Sequence, residues 1–298
     1  MNRLIQGDCL AVMKSMPTNS VDLTVTSPPY DNLRDYNGYT FDFEGIAKEL
    51  FRITKEGGIV VWIVGDATIK GSETGTSFKQ ALYFKEIGFR LHDTMIYAKQ
   101  NPVPYHHNRY NPQFEFMFIL SKGKPKTFNA IQEPTKGFKT GKYRYPDGSL
   151  KEANTPIIKA TKMLNNIWFY VVGEKSNFNH PASFPEKLAE DHILSWSNEC
   201  DTVLDPMCGS GTTLKMAKKN NRNFIGIEIS KEYCDIIKQR IGDIEVEQFG
   251  TVSETVKSKK PIEASKEVDN KWNSCPSCGG KLKKTKYGKT CEDCLEDY

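Results

Sequence analysis

The feature that most constrains this chain is a glycine turn that follows a short apolar strand. Residues 202–204 predict a buried strand that ends at Asp205, and Gly209 and Gly211 form a Gly-x-Gly turn before a helical stretch. A Cβ at these glycines would block the tight turn and the approach of a ligand to the backbone. Strand, turn and helix form one unit of a nucleotide-binding βαβ motif, so we expect a doubly wound α/β fold.

An acid at the end of the next predicted strand narrows the choice of ligand. Residues 223–228 predict that strand, and Glu228 ends it 23 positions after Asp205. A carboxylate at this point can hold the two hydroxyls of a ribose. The turn lacks the third glycine of the dinucleotide fingerprint, and no Gly-Lys-Ser or Gly-Lys-Thr follows it. The pattern therefore argues against NAD and against nucleoside triphosphates.

A second unusual turn follows another predicted strand, over residues 21–25. It reads Thr26-Ser27-Pro28-Pro29-Tyr30. Two prolines fix two φ angles and remove two backbone N–H groups, which leaves a stiff turn whose carbonyls can face a substrate. A hydroxyl before the turn and a ring after it suit the binding of a flat ring and its amino group. The alternative is an ordinary exit from a strand, with the prolines as punctuation.

The remaining periodicity fits the same fold class. Helices are predicted at residues 43–53 and from about Ser77, its expected N-cap, to 87, with a central apolar strand at 58–64. Two consecutive strands, 89–98 and 114–120, have no helix between them. Their sequence predicts antiparallel pairing at one edge of the sheet.

Together the two turns resemble the motifs of the DNA amino-methyltransferases. Ser-Pro-Pro-Tyr is similar to their catalytic motif, and Asp-Pro-Met-Cys-Gly-Ser-Gly-Thr-Thr at 205–213 is similar to their S-adenosylmethionine loop. The catalytic motif comes first and the cofactor loop last, as in the β group of the family. The resemblance covers residues 1–242 and implies a Rossmann-like, doubly wound, mostly parallel sheet in circularly permuted order.

The resemblance also implies which residues bind the cofactor. Asp8, in Gly7-Asp8-Cys9, would accept from the adenine amino group, and residues 180–185 would lie near the methionine moiety. For Asp8 the alternative is a helix N-cap, and for Cys208 and Cys234 plain core packing is preferred. The predicted cofactor residues are Asp8, Cys9, Ser183, Phe184, Asp205, Pro206, Met207, Cys208, Gly209, Ser210, Gly211, Thr212, Glu228 and Ile229.

The predicted catalytic residues are those of the proline turn, with one acid from a neighbouring strand. The Ser27 hydroxyl and the Pro28 carbonyl would accept the two N–H bonds of the target amino group, with Pro29 stiffening the turn. Tyr30 would stack on a base that has been flipped out of the duplex. Asp66, after the strand at 58–64, would orient Ser27 or take the proton through it. The alternative for Asp66 is a turn-forming role after Gly65.

The target base is expected to be cytosine, methylated at N4, with adenine N6 as the alternative. Serine at the first motif position and His180-Pro181-Ala182-Ser183-Phe184-Pro185 look more like the cytosine members. Two other classes stay open: a methyltransferase that acts on RNA or protein, and a catalytically silent adaptor that binds DNA through its tail.

A basic stretch at residues 121–165 is predicted to be an inserted target-recognition region. From Lys122 to Met163 the sequence has ten Lys or Arg against three Asp or Glu, interleaved with aromatic residues. Cations suit phosphates and planar side chains suit bases, so we expect contact with double-stranded DNA. The alternative is a solvated insertion. The predicted DNA-binding residues are Lys136, Lys139, Lys142, Arg144 and Lys151.

The end of the chain has a different character. Residues 243–272 predict a linker, and residues 273–298 predict a zinc-ribbon-like module. Cys275, Cys278, Cys291 and Cys294 form two Cys-x-x-Cys pairs that can complete a tetrahedral structural zinc site. A redox pair is the alternative for a single Cys-x-x-Cys.

Compartment follows from composition. The chain has 298 residues, 26% of them charged, with no apolar run long enough to span a membrane and no signal peptide. We therefore expect a cytoplasmic protein that associates with the nucleoid when bound to DNA. Whether a cognate restriction endonuclease accompanies it stays open.

Overall fold

The computed structural model describes residues 2–29, 41–102, 109–134, 142–152, 160–172, 184–242, 244–250, 282–285 and 288–291. The first part contains β1 (Arg3–Gln6), α1 (Cys9–Ser15), β2 (Val21–Thr26), α2 (Phe43–Ile53), β3 (Thr54–Val64), β4 (Thr68–Ile69), β5 (Ser72–Glu73), α3 (Thr76–Glu86), β6 (Arg90–Lys99) and β7 (Phe114–Ser121). The second part contains β8 (Gln132–Pro134), β9 (Lys142–Arg144), β10 (Leu150–Glu152), β11 (Thr161–Met163), β12 (Ile167–Tyr170), α4 (Glu186–Trp196), β13 (Thr202–Asp205), α5 (Thr212–Lys219), β14 (Asn223–Glu228), α6 (Lys231–Ile241), β15 (Val246–Gln248), β16 (Leu282–Thr285) and β17 (Gly288–Cys291). Among these described helices, none has the length and apolar character needed to cross a membrane.

One nine-stranded sheet organises the chain, in the order β12-β6-β7-β3-β2-β13-β14-β1-β15. Strand β7 is antiparallel to both of its neighbours, and every other adjacent pair is parallel. This confirms the predicted mostly parallel α/β fold and the antiparallel pairing of β6 with β7. Strands β2 and β13 are adjacent although they are far apart in the sequence.

Burial on both faces explains why the central strands are continuous apolar runs. In β3, Val61 and Ile63 pack into the core that lies under α4, α5 and α6. The alternate residues Val60 and Trp62 pack into the core under α1, α2 and α3. Because helices cover both faces, ligands can reach the central strands only at their ends.

The sheet continues beyond the predicted end of the domain at residue 242. Strand β15 pairs in parallel with β1, and the Arg3 guanidinium bonds to the Glu247 carboxylate at 2.6 Å. Residues 246–248 therefore belong to the sheet, and the predicted linker at 243–272 begins too early. The short β-branched and charged stretch had no period to reveal this, because an edge strand of three residues depends on its neighbour for pairing.

The helix predicted to begin at Ser77 has a different start. Helix α3 begins at Thr76 after Gly75, whose φ of 65° is in the left-handed region. The Ser77 side chain is buried rather than capping its own helix end. Within residues 121–165, the described segments form two small antiparallel pairs, β8 with β11 and β9 with β10.

A buried hydrogen bond between β3 and α3 provides a test of how this helix packs on the sheet. The indole Nε1–H of Trp62 donates to Gln80 Oε1 at 2.8 Å, and both side chains are buried. We expect Gln80→Leu to lower the free energy of unfolding by about 1–3 kcal/mol, because it leaves the indole N–H without its acceptor. Chemical denaturation measures this change.

The neighbouring residue and a double mutant supply the controls. Lys79→Leu on the exposed side of the same helix should change stability by less than about 0.5 kcal/mol. Combining Gln80→Leu with Trp62→Phe should cost less than the sum of the two single changes, because no donor is then left unpaired. Strict additivity would contradict the proposed coupling.

Candidate active site

The two predicted turns lie side by side at the carboxyl edge of the sheet. Register pairs Leu23 with Val203 and Thr24 with Leu204, so β2 and β13 end together. The chain then proceeds outward in opposite directions, to β3 from β2 and to β14 from β13. This is the topological switch point at which doubly wound sheets bind ligands.

A buried hydrogen bond joins the two turns directly. The Thr26 hydroxyl donates to Asp205 Oδ1 at 2.8 Å, and both side chains are at most 2% exposed. A second hydroxyl, that of Thr213, donates to the Val25 carbonyl at 3.1 Å. No separate role for Thr26 was predicted from the sequence. The available signal was a hydroxyl at the end of one buried strand and an acid at the end of another.

Burial changes the acidity of Asp205. Removal from water raises the pKa of this carboxyl group to about 6, against the opposing effect of hydrogen bonds from the Thr26 hydroxyl and the Met207 N–H. A buried carboxylate is costly unless donors surround it. Asp205 is thus held in place by both strands and by its own loop.

The Gly-x-Gly loop has the backbone that its glycines predict. Gly209 and Gly211 have φ angles of 50° and 79°, which other residues rarely adopt. A Cβ on Gly211 would lie 2.9 Å from Ile237 Cγ1 on α6. The loop therefore packs tightly against α6 before it leads into α5, whose first N–H groups suit the binding of an electron-rich ligand.

Glu228 ties the end of β14 to this loop. Its Oε2 accepts from the Gly209 N–H at 2.8 Å, and its Oε1 accepts from the Ser230 N–H at 2.9 Å. Burial raises the pKa of Glu228 to about 7, although these backbone donors oppose the rise. Only 8% of the residue is exposed. Ile229, beside it, is half-buried.

Asp8 and Cys9 follow the adjacent strand at the same edge. Gln6 pairs with Glu228, and the Gly7 N–H donates to the Glu228 carbonyl at 3.0 Å. Asp8 Oδ1 accepts from the Ala11 N–H at 2.9 Å, so the N-cap alternative is realised while the side chain stays exposed. Burial raises the pKa of the half-buried Cys9 thiol to about 12.

The proline turn is described as far as Pro29. Pro28 is buried, whereas Ser27 and Pro29 are half-buried. Tyr30 and Ser183 lie outside the described residues. Phe184 is half-buried and packs against the core under α4, α5 and α6.

Asp66 has a different role from the one predicted. Its Oδ1 accepts from the Ser77 N–H at 2.9 Å and from the Thr74 hydroxyl at 3.2 Å, and its Oδ2 accepts from the Ser77 hydroxyl. The carboxylate thus fixes the first turn of α3 and the loop before it. These contacts give Asp66 a structural role, close to the turn-forming alternative, in place of the predicted role of orienting Ser27.

The remaining predicted sites are only partly described. Arg144 is exposed on β9, and Lys142 and Lys151 lie on the paired strands β9 and β10. Lys136 and Lys139 lie outside the described residues. So do Cys275, Cys278 and Cys294, while Cys291 ends β17 and pairs with Leu282. In the part of the chain that is described, no group of His, Cys, Asp and Glu could hold a metal ion.

Two cysteines of the main body are core residues. Cys208 is 5% exposed and Cys234 is 1% exposed, and both contribute to the core under α4, α5 and α6. Burial raises the pKa of both thiols, to about 12 for Cys234. The preferred alternative of core packing is therefore confirmed for both.

Comparison with known proteins gives close sequence relatives. The chain is 57% identical over 248 residues to the orphan methyltransferase M.BamHII of Bacillus amyloliquefaciens, covering 79% of this chain and 90% of that protein. It is 29% identical over 271 residues to the type II methyltransferase M.HpaI of Haemophilus parainfluenzae, covering 86% and 78%.

Solved structures share the fold. The cytosine-N4-specific PvuII DNA methyltransferase matches with a TM-score of 0.60 and 18% identity, over 82% of this chain and 94% of that one. TTHA0409 of Thermus thermophilus, in its S-adenosylmethionine complex, matches with a TM-score of 0.59 and 24% identity, over 85% and 100%. A profile described as DNA methylase matches residues 21–239, which span both turns. This chain therefore belongs to the N6/N4 family of DNA methylases.

Proposed function

We propose that this DNA methyltransferase transfers a methyl group from S-adenosylmethionine to the exocyclic amino group of a flipped base in double-stranded DNA. Cytosine N4 is the favoured target, and adenine N6 is the alternative. The observation that carries the proposal is the Thr26–Asp205 hydrogen bond, because it fixes the Ser-Pro-Pro turn beside the Gly-x-Gly loop. Two reactants held at adjacent turns gain the advantage of proximity and orientation.

The residues at the carboxyl edge fit the cofactor. The left-handed backbone at Gly209 and Gly211 makes the tight turn that this loop requires, and TTHA0409 binds S-adenosylmethionine on the same fold. Glu228 would accept from the ribose hydroxyls and Asp8 from the adenine amino group through its remaining oxygen lone pairs. Phe184 would pack at the methionine end. When bound, the cofactor supplies an activated methyl group on a sulfonium.

The proline turn would act on the amino nitrogen of the base. That nitrogen is conjugated with its ring, so it becomes a nucleophile only as it pyramidalises. The Ser27 hydroxyl and the Pro28 carbonyl would accept its two N–H bonds and favour that change, which is stabilisation of charge that develops in the transition state. Tyr30 would stack on the flipped base. The methylated nitrogen is acidic while it carries positive charge, so no strong base is required.

Two sequence features support cytosine as the target. Serine occupies the first position of the Ser-Pro-Pro-Tyr motif, and Phe184 follows His-Pro-Ala-Ser at 180–183. The match to the cytosine-N4-specific PvuII enzyme supports the shared fold and does not add to the choice of base. The 57% identical relative is an orphan methyltransferase, so a cognate endonuclease is not part of the proposal.

The basic residues of the insertion are proposed to contact DNA. Arg144 is exposed on β9, the strand that also carries Lys142, and the paired strand β10 carries Lys151. Lys136 and Lys139 are close to them in sequence. Such cations would neutralise phosphates without reading the sequence, and base contacts within the insertion would supply specificity.

The tail is proposed to bind one structural zinc ion. Strands β16 and β17 form an antiparallel hairpin between the two Cys-x-x-Cys pairs, and Cys291 lies on β17 at the start of the second pair. A hairpin of this kind would bring Cys275 and Cys278 near Cys291 and Cys294. Because a segment of this length cannot bury a hydrophobic core of its own, the metal would supply most of its folding free energy.

The base and the catalytic turn can be tested together. We expect sequencing that detects modified bases to find N4-methylcytosine at one short motif in DNA from cells that express the protein. Ser27→Ala should reduce methyl transfer by orders of magnitude, because it removes one acceptor for the amino group. Its S-adenosylmethionine affinity, measured by calorimetry, should stay within about twofold.

Three outcomes would contradict these assignments. Detection of N6-methyladenine in place of N4-methylcytosine would show that adenine is the target base. Near-normal turnover of Ser27→Ala would remove Ser27 from catalysis. Methylated RNA together with unmethylated DNA would show that the substrate is RNA and not DNA.

The raised pKa of Glu228, about 7, predicts that cofactor binding depends on pH. The folded free protein keeps a proton that the unfolded chain loses near pH 4.5, so raising the pH from 4.5 through 7 removes this stabilisation of the free protein. Ribose hydroxyls donate to the ionised acid. Affinity for S-adenosylmethionine should therefore increase about five- to tenfold from pH 6 to pH 8.

Calorimetry across this range, with two glutamate variants, measures the effect. Glu228→Gln should bind the cofactor more weakly and lose most of the pH dependence above pH 6. Glu232→Gln changes an exposed acid on α6 and should keep the dependence of the unchanged protein. If Glu228→Gln keeps the full dependence between pH 6 and pH 8, Glu228 does not hold the ribose.

Metal analysis tests the tail. Protein purified under reducing conditions should carry about one zinc ion per chain, and Cys275→Ser with Cys278→Ser should abolish it. Cys200→Ser, an exposed cysteine of the main body, should leave the zinc content unchanged. Zinc-free protein, or a chelator that leaves hydrogen exchange in the tail unaltered, would refute the zinc site.

A further inference from the structure

Arg240 is a buried cation beside the cofactor loop, and none of the sequence motifs includes it. It lies in the last turn of α6, and only 6% of its side chain is exposed. A charge so deeply buried is costly unless hydrogen bonds surround it. Its partners therefore indicate what the residue stabilises.

One end of the guanidinium holds the Gly-x-Gly loop. Nη1 donates to the Ser210 carbonyl at 2.7 Å, to the Ser210 hydroxyl at 2.9 Å and to the Thr212 hydroxyl at 3.3 Å. One turn earlier on the same helix, Ile237 packs where Gly211 has no side chain. Helix α6 thus contacts three consecutive residues of the loop.

The other end of the guanidinium reaches the start of α4. Nη2 donates to Glu186 Oε1 at 2.7 Å, and Lys215 Nζ on α5 donates to the same oxygen at 2.6 Å. Burial would raise the pKa of Glu186, but the hydrogen bonds and charges of Lys215 and Arg240 outweigh it and lower the pKa. Glu186 is therefore an ionised partner for both cations.

The position of Glu186 in the chain gives this contact its consequence. It begins α4 two residues after Phe184. Arg240 thus connects the Gly-x-Gly loop and the start of α5 with the beginning of α4, which Phe184 directly precedes in the chain. In the proposed cofactor site these are two separate walls, contributed by different parts of the chain.

We propose that Arg240 is a positioning residue that sets the spacing between the Gly-x-Gly loop and the start of α4, next to Phe184, and thereby sets the affinity for S-adenosylmethionine. The inference rests on the proposed cofactor site. Arg240 acts through Ser210 and Glu186 and is not itself a catalytic residue. A loop that is fixed before the ligand arrives loses less conformational entropy on binding. The contacts of Arg240 with Ser210 and Glu186 should therefore improve the affinity for the cofactor more than the rate of the chemical step.

Arg222 provides a matched control at the opposite end of β14. It is 8% exposed and donates to the Ser197 carbonyl at 2.7 Å, the Ser197 hydroxyl at 3.1 Å and the Asn220 carbonyl at 2.6 Å. It precedes Asn223, whereas the cofactor loop contacts Glu228 at the other end of the strand. Loss of this guanidinium should damage packing to a similar extent without touching the loop.

The test compares the two arginines in the full-length protein. Arg240→Met should raise both the Kd and the KM for S-adenosylmethionine about tenfold or more, with kcat at saturating cofactor within about twofold. Arg222→Met should lower Tm comparably but leave this Kd within about twofold. Arg240→Lys, which keeps a charge for Glu186 but loses the planar fork, should give an intermediate affinity.

The outcomes are separable. Unchanged affinity in Arg240→Met, or equal weakening in Arg222→Met, would overturn the role of Arg240. If Arg240→Met does not fold, Arg240→Lys and Glu186→Gln carry the same comparison, and wild-type affinity in both would overturn it. Failure of the unchanged protein to bind S-adenosylmethionine would instead refute the proposed cofactor site.

Discussion

The hydrogen bond from Thr26 to Asp205 is the interaction on which the rest of the site depends. It joins two strand ends that are 179 positions apart in the sequence. Because the carboxyl group is fully enclosed, each donor around it is worth more than it would be in water, and the loss of one is costly. The bond therefore keeps the proline turn and the cofactor loop at a fixed distance.

The sheet makes this arrangement possible by leaving its ends as the accessible places. Val61 and Trp62 are neighbours in β3 yet pack into opposite cores, so neither face of the central strands is open to a ligand. At the carboxyl edge the acids are held by backbone N–H groups and hydroxyls, as Gly209 and Ser230 hold Glu228. Raised pKa values for Asp205 and Glu228 are the consequence of that burial.

Local chemistry was sufficient for much of the fold and of the cofactor loop. The 43–53 helix and the 223–228 strand have the predicted bounds, because their periods are strong and tertiary contacts agree with them. The left-handed angles of Gly209 and Gly211 also follow from residue type. Strand β15 was missed because three residues at an edge gain their pairing only from β1.

The sequence by itself determined the fold class, the two motif-bearing turns and the glycines that one of them requires, since each depends on neighbours within a few positions. Only the tertiary structure decided which polar groups meet. In the folded chain, Asp66 accepts hydrogen bonds from Ser77 and Thr74 and not from Ser27. Arg240 donates to the cofactor loop and to Glu186. Such pairings depend on how helices are placed against a sheet, and a charged group bonds to whichever partners that placement brings within hydrogen-bonding distance.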